Sequence, residues 1–354
     1  MAMLLRDYAP RPALRVASHH IERPRFPVLD AHNHLGPVFG GEWSRRSVEE
    51  LVETLDEAGV ATLVDLDGGW GDALSAEITR YQEPHPDRFA VFAGLDYAIL
   101  PTDPDFGTTL ARQLRRSASA GARGLKIWKP LGLTARDPQG RLVAVDDERL
   151  APVWETAAEL GLPVVIHVAD PIAFFEPLDR RNERWEELRA HPEWHFHPTR
   201  QHAQHDEPGF PPFDELMDQL ANAVARHPRT TFIGAHAGCA AEDLDLVGRM
   251  LEACPNWNVD IAARLGEIGR QPYSAREFFL RYQDRVVFGT DVTPDPKLYS
   301  IYYRFLETRD EYFSYDVEAI PGQGRWMIYG IDLPDDVLRK VYADNARRLL
   351  GLAA

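Results

Sequence analysis

The sequence predicts an α/β fold, a parallel (β/α)8 TIM-like barrel with an inserted loop region between the fifth and sixth strands. Short apolar, β-branched runs recur eight times along the chain, which is the number of strands in such a barrel. Helical patterns separate most of these runs. The approximate ends of successive runs are mostly 25 to 40 residues apart. That spacing is close to the ~30 residues of a βαβ unit, so the connections predict parallel strands.

The predicted strands are apolar on both faces, as expected of a buried parallel sheet. They cover 26–32, 60–67, 89–96, 123–129, 162–168, 230–236, 257–263 and 285–291. Start and stop signals mark the intervening helices. Ser47 and Glu50 form a capping box ahead of an apolar helix face, and Gly59 ends that helix. We predict a C-terminal helix over 336–350, ending at Gly351.

One connection is much longer than the others. The fifth and sixth strands are 68 residues apart, and we predict an inserted loop region over the barrel mouth at about 172–212. We interpret its five histidines mainly as loop residues: His191, His195, His197, His202 and His205. The stretch 292–332, rich in Tyr and Phe, follows the last predicted strand and is a second addition to the basic barrel, here called the second elaboration. We predict that residues 1–25 form an irregular arm and that residues 26–354 form a single barrel domain.

The composition of the 354 residues excludes several classes of protein. Lys and Arg number 39 against 55 Asp and Glu, a net charge of −16, which disfavours nucleic-acid binding because that function leaves a basic footprint. Two cysteines, Cys239 and Cys254, cannot form a disulfide framework. No apolar run approaches the ~20 residues of a spanning helix, and no signal-peptide pattern is present. We expect a cytoplasmic protein with neither nucleic-acid nor membrane partners.

Side chains with metal-binding chemistry lie along the first predicted strand. Because side chains alternate along a strand, we expect one face to point into the barrel, formed by Val28, Asp30, His32 and His34. The opposite face, with Leu29 and Ala31, should then meet the helices.

Three further strands end in residues of the same chemistry, namely His167, His236 and Asp291. A single histidine at a strand end is most often structural. The placement of all of them at the same end is the informative feature, because barrel active sites are built at the carboxyl ends of the strands.

Four motifs in this order resemble the amidohydrolase superfamily. Within it, they are similar to the amidohydrolase-related group that includes the aminocarboxymuconate-semialdehyde and resorcylate-type decarboxylases. The motifs are Asp30-Ala-His-Asn-His34, Val165-Ile-His167, Phe232-Ile-Gly-Ala-His236 and Phe288-Gly-Thr-Asp291. The closing stretch 341–350 also resembles the family's C-terminal helix, so the resemblance spans about 26–352. The resemblance implies a metal ion, with zinc as the first choice, whose ligands are His32, His34, His167 and Asp291.

The residue types suit such a centre. Three imidazoles and one carboxylate leave an open coordination position, and a metal lowers the pKa of bound water to ~7. Asp291 would ligate the metal and accept the water's proton, while His236 would stabilise an oxyanion. Asp30 is a candidate acceptor that fixes an imidazole tautomer. We expect one divalent ion, with zinc favoured and manganese or another divalent ion as the alternative.

Lys126, on the inward face of the fourth predicted strand, leaves two alternatives open. The resemblance allows a carbamylated lysine that bridges two metals. Otherwise the lysine forms a salt bridge with an inward carboxylate, since an unpaired buried ammonium is costly. The candidate carboxylates are Asp65, Asp67 and Asp96. We favour the mononuclear site.

Three residues near the strand ends are candidates for substrate binding. Arg264 follows the seventh strand, where a guanidinium can bind a carboxylate bidentately. Trp128 can line the pocket, and Asp170 follows His167 closely enough to contact a substrate. We interpret 182–188, within the insertion, as a solvated helical face with a potential substrate role.

These features favour a metal-dependent hydrolase that acts on a small polar or carboxylate-bearing molecule through a metal-activated water. The alternative is a non-oxidative, metal-dependent decarboxylase with the same ligands, since the ligand set does not separate the two reactions. A non-catalytic binding protein on the same barrel is a third hypothesis. The expected partner is a small-molecule substrate. The resemblance also implies that the protein forms a homodimer.

Overall fold

The computed structural model describes residues 3–4, 7–8, 10–36, 40–197 and 209–352. Its eight strands are β1 (Val28–Asn33), β2 (Val60–Asp65), β3 (Phe89–Val91), β4 (Leu125–Ile127), β5 (Val164–Ile166), β6 (Phe232–Gly234), β7 (Trp257–Asp260) and β8 (Val286–Val287). Each predicted run overlaps one of these strands, and the observed strand is usually shorter than the run. All the strand pairs are parallel, as the connection lengths predict.

Hydrogen bonds connect the strands around a barrel. One sheet has the order β1-β2-β3 and the other the order β4-β5-β6-β7-β8. A parallel bridge between Ala93 and Leu125 joins β3 to β4. On the other side, the backbone N–H of Ala31 donates to the carbonyl of Phe288 at 2.9 Å. The predicted (β/α)8 fold is therefore confirmed.

Helices follow or connect the strands. They are α1 (Glu42–Arg45), α2 (Val48–Ala58), α3 (Asp72–Glu77), α4 (Phe106–Ser119), α5 (Pro130–Leu133), α6 (Ala151–Leu160), α7 (Trp185–Ala190), α8 (Phe213–Arg226), α9 (Ala235–Gly238), α10 (Leu244–Ala253), α11 (Leu265–Ile268), α12 (Pro272–Arg281), α13 (Pro296–Glu307), α14 (Asp335–Arg339) and α15 (Asn345–Leu350). The Ser47 hydroxyl accepts from the Glu50 N–H at 3.1 Å, as the capping box predicts. Within the described ranges, no helix has both the length and the apolar character needed to cross a bilayer.

Alternate residues of most strands pack in two apolar clusters, while Val91 of β3 belongs to a third, small one. Val164 and Ile166 of β5 belong to the large cluster between strands and helices, together with Leu51 and Leu55 of α2. Val165 belongs to a smaller inner cluster. That inner cluster consists of Leu29, Ala31, Val64, Leu66, Ala90, Phe92, Val165, Ile233, Ala235, Val287, Ala343 and Ala346. The barrel interior is therefore apolar at this level, and polar groups lie towards the carboxyl ends of the strands.

The prediction for the faces of β1 is wrong in part. Leu29 and Ala31 belong to the inner cluster, although strict alternation would direct them towards the helices. Two register shifts interrupt the pairing of β1 with β2, one after Val28 and one after Asp30. The shift after Asp30 places an extra residue in β1, which reverses the side-chain alternation there, whereas the shift after Val28 places the extra residue in β2. His32 still reaches the interior, but Asp30 does not share its environment.

The insertion is attached to the barrel mouth by ion pairs. Its described part holds helical turns at Ile172–Phe174 and Pro192–Trp194 as well as α7. His202 and His205 lie outside the described residues. The interpretation of 182–188 as a solvated face is wrong in part: Glu183 and Trp185 are exposed, but the Arg184 side chain is fully buried. It pairs with Glu267 of α11 and, at 2.9 Å, with Glu187.

The neighbouring charges of the insertion also have distant partners. Glu183 pairs with Arg270 at 2.9 Å, and Glu186 pairs with Arg325 at 2.6 Å. These partners lie in the connections that follow β7 and β8. The second elaboration, 292–332, contributes α13, whose Tyr299 and Tyr303 rings pack against Phe288.

Candidate metal centre

A half-buried aspartate and three buried histidines meet at the carboxyl end of the barrel. Asp291 follows β8, and its Oδ1 lies 3.3 Å from Nε2 of His34 and 3.9 Å from Nε2 of His32. Its Oδ2 lies 3.7 Å from Nε2 of His236. Ligand atoms of His32, His236 and Asp291 all lie within 4.8 Å of one another. Four of the predicted site residues therefore share one space.

The backbone at the strand ends directs these side chains inward. His236 and Asp291 have φ angles of 60° and 52°, a left-handed conformation that is costly for residues other than glycine. The N–H of Asp291 donates to the carbonyl of His32 at 2.8 Å, which ties the end of β8 to β1. Gly289 is required at this crossing, because a Cβ there would lie 2.8 Å from the Cβ of His32.

Each of the three imidazoles is held through its Nδ1 atom. His32 bonds Oδ2 of Asp260 at 2.8 Å, and His34 bonds Oδ1 of Asp67 at 2.8 Å. His236 donates to the carbonyl of Ala262, also at 2.8 Å. Carbonyl and carboxylate oxygens only accept, so these partners assign the proton to Nδ1 and direct Nε2 towards Asp291. This arrangement is typical of metal-ligating histidines.

The predicted ligand His167 has the opposite tautomer. Its Nε2 lies 3.1 Å from the carbonyl of Ala169, which places the proton on Nε2 and the lone pair on Nδ1. Its ring centroid lies 4.3 Å from that of His236. His167 thus borders the centre, and its role as a ligand, through Nδ1, stays a prediction.

The charged groups around Asp291 control the protonation of this carboxyl and of His34. Burial opposes ionisation of Asp291, but His32 and His34 outweigh it and hold the pKa of this carboxyl well below its ordinary value. Burial likewise disfavours the His34 imidazolium, but bonds to Asp291 and Asp67 raise its pKa to about 9. A metal must therefore displace a proton from Nε2 of His34.

In the described part of the chain, Asp30 accepts hydrogen bonds from hydroxyl and backbone groups and from no imidazole ring. Its predicted role as an acceptor that fixes an imidazole tautomer is therefore wrong. Its Oδ2 accepts from the hydroxyls of Thr290 at 2.6 Å and Tyr299 at 2.7 Å. Its Oδ1 accepts from the backbone N–H groups of His32 and Thr290. Asp30 precedes the extra residue of β1, so its carboxylate lies at the contact between β1 and β8 and not on the face of His32. The ring acceptors are Asp67 and Asp260, two residues for which we predicted no such role.

Lys126 is fully buried beside this centre. Its Nζ lies 3.4 Å from Nε2 of His32 and 5.0 Å from the ring centroid of Trp128. The salt bridge expected with Asp65, Asp67 or Asp96 is absent among the residues that the structure describes. Asp65 accepts two backbone N–H groups instead, and Asp67 holds His34.

The predicted substrate-binding residues lie around the same mouth. Arg264 is buried and donates to the carbonyl of Ala263 at 2.8 Å. Its Nη2 lies 3.8 Å from Oδ1 of Asp170, which also contacts Lys129. The ring of Trp128 lies over His34, with their centroids 5.1 Å apart.

The described loop histidines have other partners. His195 is buried, and its Nε2 lies 2.9 Å from the carbonyl of Glu176. The ring of His191 stacks on Trp194 with centroids 3.9 Å apart. These contacts are structural and give neither histidine a place in the centre.

Solved structures with the same fold include three decarboxylases. The 2,6-dihydroxybenzoate decarboxylase from Rhizobium shares 16% identity and a TM-score of 0.55, with 92% of this chain and 99% of that chain covered. The 5-carboxyvanillate decarboxylase from Sphingomonas paucimobilis shares 15% identity and a TM-score of 0.53, with coverage of 90% and 88%. The dihydroxybenzoic acid decarboxylase from Polaromonas sp. JS666, solved with manganese and 2-nitroresorcinol, shares 14% identity and a TM-score of 0.54, with coverage of 92% and 97%.

The comparison with family models is more specific. No curated protein sequence matches the chain significantly. The amidohydrolase family model, in contrast, matches residues 30–352, which include the four motifs and the C-terminal helix. The chain therefore belongs to the amidohydrolase family.

Proposed function

We propose that this protein is a metal-dependent hydrolase that acts on a small carboxylate-bearing molecule. The observation that carries this proposal is the ring of three imidazoles around Asp291, each anchored through Nδ1 by an oxygen acceptor. An isolated histidine cluster without such anchors would need no common orientation. Here the imidazoles from the end of β1 and from the turn after β6 share one orientation, with Nε2 directed towards Asp291.

The donor set fits one divalent ion of the zinc type. Imidazole nitrogen with a single carboxylate suits zinc and other transition metals better than magnesium or calcium. We assign His32, His34, His167 and Asp291 as the ligands, with manganese as the alternative metal. A divalent ion held there would polarise a substrate oxygen and lower the pKa of a water molecule.

Asp291 and His236 are placed to move protons. Asp291 is ionised, so it can accept the proton of an attacking water. The Nε2 lone pair of His236 lies 3.7 Å from Oδ2 of Asp291, close enough to receive that proton after a small movement. The resulting imidazolium would donate it to the leaving group. Neutral His236 has no hydrogen on Nε2, so it stabilises an oxyanion only after this transfer.

Arg264 supports the choice of an acidic substrate. Its guanidinium is buried at the mouth, but its only hydrogen bond among the described residues goes to the carbonyl of Ala263. Five N–H donors are available on this side chain, and the distance of 3.8 Å to Asp170 is too long for a hydrogen bond. The spare donors match a carboxylate.

Isotope labelling tests this proposal. We expect the zinc-loaded protein to hydrolyse one member of a panel of small carboxylate-bearing lactones, esters and amides. In water enriched in oxygen-18, the product should gain one heavy oxygen, detected by mass spectrometry. Asp291→Asn should lose about 100-fold or more in kcat, which is within the usual range for a proton-transfer group. If Asp291→Asn kept the turnover rate of the wild type, Asp291 would not be the proton acceptor.

A decarboxylase is the second candidate, and the solved structures favour it. The three similar structures described above are decarboxylases, and one of them holds manganese. In that reaction Asp291 would deliver a proton to carbon instead of accepting one from water. Carbon dioxide release from hydroxybenzoates, with one solvent deuterium on the product carbon in D2O and no oxygen-18, would identify this reaction.

A further inference from the structure

Lys126 has a position that the proposed hydrolysis does not use. It lies on β4 between Leu125 and Ile127, whose side chains pack in the outer apolar cluster. Its partner in register is Val165, a member of the inner cluster. Lys126 therefore extends into the barrel, and none of its side chain is exposed.

The ammonium group has few partners there. It forms no ion pair with a carboxylate in the described part of the chain. Its one hydrogen-bond partner is Nε2 of His32, at 3.4 Å, and the Trp128 ring provides a weaker cation–π contact at 5.0 Å. An ammonium group has three donors, so most of its capacity is unused.

A metal would remove even that one partner. The Nδ1 atom of His32 is engaged with Asp260, so Nε2 carries the only lone pair of this ring. A metal ligated by His32 must use the same lone pair. Lys126 would then be a buried ammonium with no hydrogen-bond acceptor among the described residues, which is energetically costly.

We propose that Lys126 acts as a free ammonium that binds an anionic oxygen of the substrate beside the metal. This inference rests on the proposed metal centre and adds a substrate-binding residue to it. The oxygen belongs either to a carboxylate or to a carbonyl that gains negative charge during the reaction. Both would receive one N–H donor from Lys126 while they face the metal.

This role differs from a bridging carbamate. A carbamylated Lys126 would be anionic, would require a second metal, and would bind no substrate anion. The two roles therefore predict opposite effects when the side chain is replaced by one of similar length and no charge. Removing the ammonium should weaken anion binding and leave one metal per chain.

The experiment uses full-length protein loaded with cobalt, and acetate as the probe. The visible absorption of cobalt reports acetate only where it reaches the metal, so binding at Arg264 does not contribute. Lys126→Met should weaken acetate binding by about 10- to 100-fold, as expected for the loss of a charged hydrogen bond. Lys126→Gln, which keeps an N–H donor, should fall between Lys126→Met and the wild type.

Lys129→Met is the matched control, because it removes the same charge three residues away. Lys129 is already paired with Asp170, so this variant should change acetate affinity by less than about twofold. All variants should retain one cobalt per chain, and Lys126→Met should bind it at least as tightly as the wild type, since a positive charge is removed.

Three results would overturn the inference alone. They are unchanged acetate affinity in Lys126→Met, an equal loss in Lys129→Met, and a fall from two metals to one when Lys126 is replaced. A wild-type protein that binds no metal would overturn the proposed function as well. The two failures are therefore distinguishable.

Discussion

His32 and Asp260 form a hydrogen bond of 2.8 Å between Nδ1 and Oδ2 in the barrel interior. The other carboxylate oxygen accepts the backbone N–H groups of His236 at 2.7 Å and Ala262 at 3.0 Å. One carboxylate from β7 thus orients an imidazole on β1 and the turn that carries a second imidazole. Burial raises the pKa of Asp260 to about 6, so it remains ionised at neutral pH.

Asp260→Asn should weaken metal binding by about 10- to 100-fold, the usual effect of losing a group that orients a ligand. The backbone N–H groups of His236 and Ala262 require the amide oxygen, so the amide NH2 must face His32. His32 would then carry its proton on Nε2 and offer the metal no lone pair. Competition with a chelator measures the affinity. Wild-type affinity in this isosteric variant would disprove the orienting role.

Gly289→Ala should also weaken metal binding, by about tenfold or more, because the new methyl group must displace His32. A Cβ at this position would lie 2.8 Å from that of His32. Gly322→Ala is the control, since its nearest neighbour would be Asp316 at 3.8 Å. Metal titrations of the two variants provide the test, and equal affinities would show that the close contact is unimportant.

Arg184→Met should lower the free energy of unfolding by about 3–5 kcal/mol, because it leaves a buried glutamate without its cation. Both Arg184 and Glu267 are fully buried. The double variant Arg184→Met, Glu267→Met should recover part of the loss, since no buried charge of the pair remains. Urea unfolding of the wild type, the single variants Arg184→Met and Glu267→Met, and the double variant measures the coupling.

The exposed pair Arg181–Asp179 provides the control for this cycle. Arg181→Met should change stability by less than about 1 kcal/mol, as for most surface ion pairs. Additive losses from Arg184→Met and Glu267→Met would contradict the coupling.

Acid should release the N-terminal arm. Oδ2 of the buried Asp310 accepts the backbone N–H of His19 at 2.6 Å and Nε of Arg304 at 2.7 Å. Burial raises the pKa of Asp310, but these bonds outweigh it and the pKa is lowered overall. A lowered pKa gives stability that is complete above the unfolded value, ~4, and is lost as the pH falls below it.

Hydrogen exchange of residues around His19 measures this release between pH 6 and pH 3. Protection should fall below about pH 4, and Asp310→Asn should lack it at both values. Asp332→Asn, which breaks the more exposed pair with Arg309, should behave like the wild type. Protection that persists at pH 3 would exclude Asp310 as the anchor.

The strand pattern was predictable because each barrel strand is a short apolar run with a clear helical signal after it. Ser47, Gly59 and Gly351 mark helix ends in the structure as they do in the sequence. The convergence of His32, His34, His236 and Asp291 also followed from their places at strand ends. Metal binding by these residues stays a prediction.

Other features depend on contacts that sequence position does not reveal. The extra residue of β1 that separates the face of Asp30 from that of His32 leaves no periodic signal. Arg184 and Glu186 resemble a solvated face because their partners Glu267 and Arg325 are distant in sequence. Asp260 did carry a signal, since an acidic residue within an apolar strand needs a buried partner.

The most direct test of the proposed metal centre is the anomalous scattering of a crystal grown with zinc, recorded at the zinc edge. A mononuclear centre predicts one strong peak per chain, about 2.0–2.2 Å from Nε2 of His32, Nε2 of His34, Nδ1 of His167 and an oxygen of Asp291. No peak among these residues would contradict the metal centre itself. Two peaks bridged by Lys126 would contradict its mononuclear form and the role of the free ammonium.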